Sequence, residues 1–287
     1  MILLTGVTGT NGLEVAKALA AKGVPFKAML RDRPRTSDIA ALGGQPIPGD
    51  FDRPDTLPAA MVGCDRALLL SAVGPRMFHQ EQSFIAAARA AGMKHIVKFS
   101  ALGADPLAKS LLQRVHGQAE QDLEGSGVAW THVRPPFFMQ NILSSAKDIR
   151  TRGEFFGHFG SGRAAYVDVR DIAALIAAVL TADIADHAGK VYQPTGPAAL
   201  SCAEQAMVLT KVLQRPVKFV PIPRDTVRQA LITHGMLESV AQGIVDLDAL
   251  VEQGQAATVT DDVRRVAGRN PRTFEQFVLD HLAHFKV

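Results

Sequence analysis

Cysteine is nearly absent from this chain. Cys64 and Cys202 are its two, far apart and outside any Cys-x-x-Cys pairing. That excludes a disulfide framework and a thiolate zinc site, and no other metal-ligand cluster stands out, so no metal is expected. Aromatic residues make up only 6% of the sequence, with one tryptophan and two tyrosines. Charge of one sign is also missing: the net charge is +3 over 287 residues, and no run of five basic residues occurs. Nucleic acid and anionic membrane surfaces are therefore poor partners for it. No stretch reaches the ~18 uninterrupted apolar residues of a membrane-spanning helix. The opening Met1-Ile2-Leu3-Leu4-Thr5-Gly6 lacks the basic flank of a signal peptide. These absences lead to the expectation of a cytoplasmic protein with no membrane partner.

What is present is the composition of a globular chain, 47% hydrophobic and 21% charged, long enough to bury a full core. Strand and helix signals alternate through its first half. Short apolar runs at Ile2–Thr5, Phe26–Leu30, Pro46–Pro48, Ala67–Leu70, His95–Phe99 and Val128–Val133 read as six strands. Helical spacing fills the gaps, at 11–22, 39–42, 84–91 and 107–124. This rhythm predicts an α/β fold, a doubly wound parallel sheet with right-handed crossovers. Beyond residue 150 the rhythm loosens. Short strands at Phe155–Phe159 and Ala164–Val167 are followed by helices at 172–180, 203–213, 225–232, 237–252 and 274–284. The expected organisation is a dinucleotide-binding domain over 1–150 and a smaller, mostly helical C-terminal subdomain over 151–287. Part of the latter, 164–181, is expected to return to the sheet.

One motif carries chemistry. Gly6, Gly9 and Gly12 sit at spacing three and three, directly after the first strand and directly before a helix. In that context Gly6 permits a tight turn, Gly9 lets the backbone approach a pyrophosphate, and Gly12 lets the helix pack on the strand. The helix amino terminus offers unpaired N–H groups to the phosphates, and Thr8, Thr10 and Asn11 add side-chain donors. This is the Rossmann nucleotide-binding turn. The end of the second strand then chooses the cofactor. A carboxylate there accepts from the ribose 2′-OH of NAD, whereas a cation meets the 2′-phosphate of NADP. Here the first polar residue is Arg31, which favours NADP (NADPH); Asp32 follows it and would serve a ribose hydroxyl if the strand ended one residue later.

The same residues, with Gly49-Asp50-Phe51, Lys94–Ser100, the segment Trp130–Asn141 and Val167–Ala173, resemble the NmrA-like family of atypical short-chain dehydrogenases over nearly the whole chain. That family contains NADPH-dependent quinone, azo-dye and triphenylmethane-dye reductases, and also catalytically silent NADP-sensing regulators. The resemblance implies that Asp50 and Phe51 border the adenine. It further implies that Ser71, Ala72 and Val73 line the ribose and pyrophosphate, and that Ser100 and Ala101 approach the nicotinamide ribose. Phe137, Phe138 and Asn141 would run beside the nicotinamide.

The departure from ordinary short-chain dehydrogenases is equally informative. Those enzymes use Tyr-x-x-x-Lys, but neither Tyr166 nor Tyr192 has a lysine four residues on. Aligning the long helix through Glu120 puts Leu112 at the tyrosine position and His116 at the lysine position. His116 is either a ribose ligand or proton donor, or a partly solvated surface histidine. Tyr166-x-x-x-Arg170 imitates the missing pair across a strand–helix junction, where the side chains need not meet. Asp168 and Asp171 read as caps of the following helix. Phe137, Phe138, His158 and Tyr166 are candidate pocket residues; His158 and its phenylalanine neighbours are equally explained as packing of an edge hairpin.

The expected function is hydride transfer from NADPH to an electron-poor planar acceptor, a quinone or an azo or triphenylmethane dye. Such acceptors take hydride readily, so a tyrosine acid is dispensable. The expected partner is a small aromatic or quinoid molecule, and a homodimer is compatible with the sequence. The alternative is an NADP-binding redox sensor that turns nothing over and regulates a partner protein.

Overall fold

The computed structural model describes residues 1–31 and 36–286. In chain order the elements are β1 (Ile2–Leu4), α1 (Thr10–Ala21), β2 (Phe26–Leu30), α2 (Thr36–Ala41), β3 (Gln45–Pro48), α3 (Leu57–Met61), β4 (Arg66–Leu69), α4 (Met77–Ala90), β5 (His95–Phe99), α5 (Leu111–Gly125) and β6 (Ala129–Val133). They continue with α6 (Ala146–Arg152), β7 (Glu154–Gly157), β8 (Arg163–Ala164), α7 (Val169–Thr181), β9 (Lys190–Tyr192), β10 (Leu200–Ser201), α8 (Cys202–Leu213) and β11 (Lys218–Pro221). The chain ends with α9 (Arg224–Thr233), α10 (Glu238–Asp246), α11 (Asp248–Glu252), α12 (Asp262–Ala267), α13 (Phe274–Asp280) and α14 (Leu282–Phe285). None of the described helices is long and apolar enough to cross a membrane.

The described chain forms two compact units, one of Met1–Arg134 with Ile172–Tyr192, the other of Pro135–Asp171 with Gln193–Val287. Where the sequence suggested a boundary at 150, the break falls at Pro135-Pro136. Two consecutive fixed φ angles end the run of β6 and remove two ladder donors there. Of the segment 164–181, residues from Ile172 onward group with the first unit, in a stretch that runs to Tyr192.

The first unit is built on a seven-stranded sheet, ordered β3-β2-β1-β4-β5-β6-β9. Every pairing in it is parallel. Strands covered on both faces by helices are mostly apolar, and β5 is buried at all five positions, His95 and Lys98 included. The seventh strand went unpredicted because Lys190-Val191-Tyr192 buries only Tyr192. Its place is fixed by neighbours: Thr131 Oγ1 donates to the His187 carbonyl at 2.7 Å and Gly189 N donates to the Trp130 carbonyl at 2.8 Å. The helix expected over 107–124 starts at Leu111. The preceding loop packs its Asp105-Pro106 backbone onto Gly117, where an added Cβ would stand 2.2 Å from Asp105 C.

In the second unit β7 pairs in parallel with β11, and β8 with β10 in the opposite sense. The expected strand 164–167 shrinks to β8; Val167 instead makes an isolated bridge to Phe138. The single helix expected over 237–252 is two, α10 and α11, because Leu247 closes the first and Asp248 turns inward to open the second. The helix over 274–284 divides likewise into α13 and α14. Ser201 with Glu204 and Thr273 with Gln276 form capping boxes on α8 and α13. Asp168 caps α7 by accepting from Arg170 N at 2.9 Å. Asp171 does not cap; it is fully buried and held by Arg269 at 2.7 Å and Arg272 at 2.5 Å.

One buried ion pair underlies the first unit. Lys98 Nζ on β5 lies 2.5 Å from Glu81 Oε2 on α4, with neither side chain exposed. Glu81 Oε1 also accepts from Ser71 Oγ at 2.7 Å, so the pair positions the loop after β4. Removing one partner strands the other charge in the core. Lys98→Met is expected to cost about 3–5 kcal/mol. The double variant Glu81→Gln/Lys98→Met should recover much of that loss in urea unfolding. A double variant no more stable than Lys98→Met alone would contradict this reading.

Candidate functional site

The loop between β1 and α1 is shaped by two glycines for reasons internal to the protein. Gly6 has φ +67°, and a Cβ there would meet Leu70 Cγ at 2.7 Å. A Cβ at Gly12 would lie 2.2 Å from the Gly6 carbonyl oxygen. The end of β1 is pinned to the end of β4 through Thr5, whose Oγ1 accepts from Leu70 N at 2.8 Å.

Gly9 differs from both. Its φ of −91° and ψ of 167° suit any residue. An added Cβ would meet only Gly6 O, at an ordinary 3.5 Å. The fold alone does not demand glycine at that position. Gly9 is the N-cap of α1 and supplies no side-chain cap, so the first N–H groups of this 12-residue helix lack one. Asn11 Oδ1 is buried without a hydrogen-bond partner in the same first turn. These features fit a pyrophosphate.

The structure gathers seven of the seventeen predicted cofactor residues around one cleft of about 400 Å³. It is lined by Gly6, Thr8, Arg31, Asp50, Phe51, Ser71 and Ala72, among others. Thr10, Asn11 and Gly12 belong to the first turn of α1. Arg31 is exposed at the end of β2, while Asp32, the competing ribose ligand, lies outside the described residues. Asp50 Oδ1 accepts from Asp52 N at 3.0 Å, and Phe51 tilts against Phe84 with 5.8 Å between ring centres. The Ser71 hydroxyl proton goes to Glu81, which leaves its oxygen as an acceptor only. Val73 is exposed and does not line the cleft. Ser100 follows β5 and is almost fully buried, with its Oγ unpartnered; Ala101 comes next and is half-buried.

His116 is buried in α5, not partly solvated. Burial first, and the positive Lys98 second, hold its imidazole pKa well below the ordinary value. Its Nδ1 is buried without a partner. A neutral ring of this kind can hydrogen-bond a ligand, but it holds no proton to give at neutral pH.

In the second unit, Phe137, Phe138, Asn141, His158 and Tyr166 line one cavity of about 750 Å³ with largely apolar walls. Phe159 meets Phe137 edge-on at 5.0 Å, and His158 packs on Phe159 at 4.6 Å. Tyr166 and Arg170 do not meet. Arg170 binds Asp168 and Asp280, whereas Tyr166 is hydrogen-bonded to Cys202 and Gln205. Burial, then Cys202, raises the Tyr166 phenol far above its usual range, so it is no acid–base substitute for the missing pair. Burial likewise pushes the Cys202 thiol up to about 11. Cys202, Gln205, Leu231 and His234 also line the cavity and were not foreseen. They come from α8 and α9, whose helical periodicity marks an inward face without saying what that face lines.

A parallel sheet carrying a glycine turn, an open N-terminal helix turn and a cation after β2 defines a dinucleotide-binding oxidoreductase fold. Residues 6–183 match the NAD(P)H-binding family model, and the chain belongs to that family. It is 40% identical over 285 residues to the NAD(P)H azoreductase of Xenophilus azovorans, covering 99% of each chain. An NADPH complex of the NADPH-dependent quinone oxidoreductase from Escherichia coli is similar in structure. Its TM-score is 0.87 at 29% identity, over 99% of this chain and 100% of that one. The NADP(H) complex of triphenylmethane reductase from Citrobacter sp. shares the fold, with a TM-score of 0.84 at 24% identity over 97% and 99% of the two chains. The resemblance read from the sequence therefore holds.

Substitution should tell Gly9 and Gly12 apart. Gly9→Val should leave the fold and its urea midpoint nearly unchanged while NADPH binding falls at least about a hundredfold, roughly 2.7 kcal/mol. Gly12→Val should instead destabilise the protein itself. Circular dichroism, urea unfolding and equilibrium NADPH titration read both arms; tight NADPH binding by Gly9→Val would place the phosphates elsewhere.

Proposed function

We propose that this protein is an NADPH-dependent reductase of electron-poor planar acceptors of the quinone, azo and triphenylmethane-dye type. The observation that carries the reading is Gly9, a glycine the protein does not need for itself. The bound nicotinamide supplies hydride; the chain supplies binding, orientation and a water-poor acceptor pocket. In this reading Gly6, Gly9 and the first turn of α1 hold the pyrophosphate, Arg31 the 2′-phosphate, and Asp50 and Phe51 the adenine side. Ser100 Oγ and the neutral His116 ring serve the nicotinamide ribose as hydrogen-bond partners. The phenylalanine-walled cavity takes the acceptor, whose flat aromatic rings suit stacking and edge contacts. With Tyr166 locked in its phenol form and no lysine beside it, alcohol dehydrogenation through an activated tyrosine is not part of the chemistry.

The test is steady-state NADPH oxidation against a panel of quinones and dyes, with cofactor affinities measured alongside. NADPH should bind tighter than NADH. Arg31→Ala should erase most of that preference, a charge-assisted hydrogen bond being worth ~1.5–3 kcal/mol. His116→Ala should cost nearer tenfold than the ~100- to 10,000-fold of a lost general acid. Equal affinity for the two cofactors would overturn the Arg31 assignment. Tight NADPH binding with no turnover on any acceptor would favour the regulatory sensor.

A further inference from the structure

We infer that His158, held by Asp248, is the proton donor to acceptors that become anions on reduction. The inference rests on the reductase reading. Hydride transfer to a quinone or an azo bond leaves negative charge on oxygen or nitrogen. Hydride transfer to a triphenylmethane cation leaves a neutral hydrocarbon carbon. The first two need a proton and the third does not. Tyr166 cannot give one readily, His116 is held neutral, and burial keeps the Cys202 thiol proton in place up to about 11.

His158 has the surroundings the others lack. It lines the acceptor cavity, and its Nε2 lies 2.8 Å from Asp248 Oδ1. Asp248 opens α11 with its carboxylate almost fully buried, and its other oxygen, Oδ2, is paired with Arg224 of α9. Arg224 is shared with Glu252 at the end of α11. Neither contact to Asp248 is in line for a hydrogen bond, so the carboxylate is held by charge and proximity. The two carboxylates and one guanidinium sum to one negative charge, which a protonated His158 would balance. Around the cavity the further titratable groups are Tyr166 and Cys202, both kept in their protonated forms, and His234 just past the end of α9. A histidine with a carboxylate on one ring nitrogen is oriented to work through the other. Nε2 faces Asp248, so Nδ1 is the atom left to serve the cavity.

The step balances without further reagents. The acceptor gains both electrons and one hydrogen as hydride from the reduced cofactor. The Nδ1–H bond of the imidazolium then breaks as an O–H or N–H bond forms on the acceptor anion, and water returns the proton to His158. Asp248 is a positioning residue and does not itself transfer the proton.

The test exploits the acceptor that needs no proton. His158→Gln should lower kcat for quinones and azo dyes by about a hundredfold or more, with KM within about threefold. Reduction of a triphenylmethane cation by the same variant should change by less than about threefold. On quinones and azo dyes, kcat of the unmutated protein should fall along a limb toward high pH, and the variant should lose that limb. Asp248→Asn should weaken the same limb. A second readout needs no cofactor: 4-nitrophenol bound to the unmutated protein should show more phenolate absorption than when bound to His158→Gln. Equal losses on all three acceptor classes, or no loss on any, would overturn the proton-donor role while leaving the reductase reading intact. An unmutated protein inactive on every acceptor would overturn the reductase reading instead.

Discussion

The carbonyl of Gly6 lies 2.2 Å from where a Cβ of residue 12 would stand, and this close approach sets the entry of α1 onto the sheet. Because the helix is seated there, its first N–H groups face outward from the turn with no side-chain cap. Thr5 ties the same corner to β4, so the residues after β4 are placed relative to the turn. The loop after β4 is fixed again from beneath by Ser71, Glu81 and Lys98. A nucleotide site therefore follows from backbone contacts and one buried ion pair, with few side chains aimed at a ligand. That suits a cofactor whose phosphates are recognised mainly by backbone amides.

The second unit meets a different demand. Its cavity walls are chiefly aromatic and aliphatic, with a few polar side chains among them. Tyr166 is committed to Cys202 and Gln205, and His158 to Asp248. A pocket of this kind orients a flat acceptor and excludes water, and it selects by shape more than by hydrogen bonding. The chemistry is then left to the cofactor and to whichever group can release a proton.

The alternation of apolar strands with helices was legible in the sequence because parallel strands buried on both faces leave an unbroken apolar signature. Two of the predicted strands, Phe26–Leu30 and His95–Phe99, have the observed bounds. The edge strand Lys190–Tyr192 was hidden because two of its three residues face solvent. The glycine turn could be read because its spacing is local. Gly9 and Gly12 look alike in the sequence, and only the structure separates the glycine the fold requires from the one it does not. His116 was misplaced as a possible surface residue because helical spacing marks a face without saying how deep it lies. The His158–Asp248 pair joins residues 90 positions apart in separate elements, and no local pattern announces such a contact. The pocket residues from α8 and α9 were missed for the same reason.

In the proposed reaction hydride passes directly from NADPH to a flat, electron-poor carbon or heteroatom. A triphenylmethane dye reports it most cleanly, because hydrogen added at its central carbon does not exchange with water. The dye would be reduced with NADPH carrying deuterium at the transferable position, and its colourless product examined by mass spectrometry and NMR. One deuterium at the central carbon, and none when unlabelled NADPH is used in deuterated water, is the result the account predicts. Label derived from solvent, or no NADPH-dependent loss of colour, would contradict it.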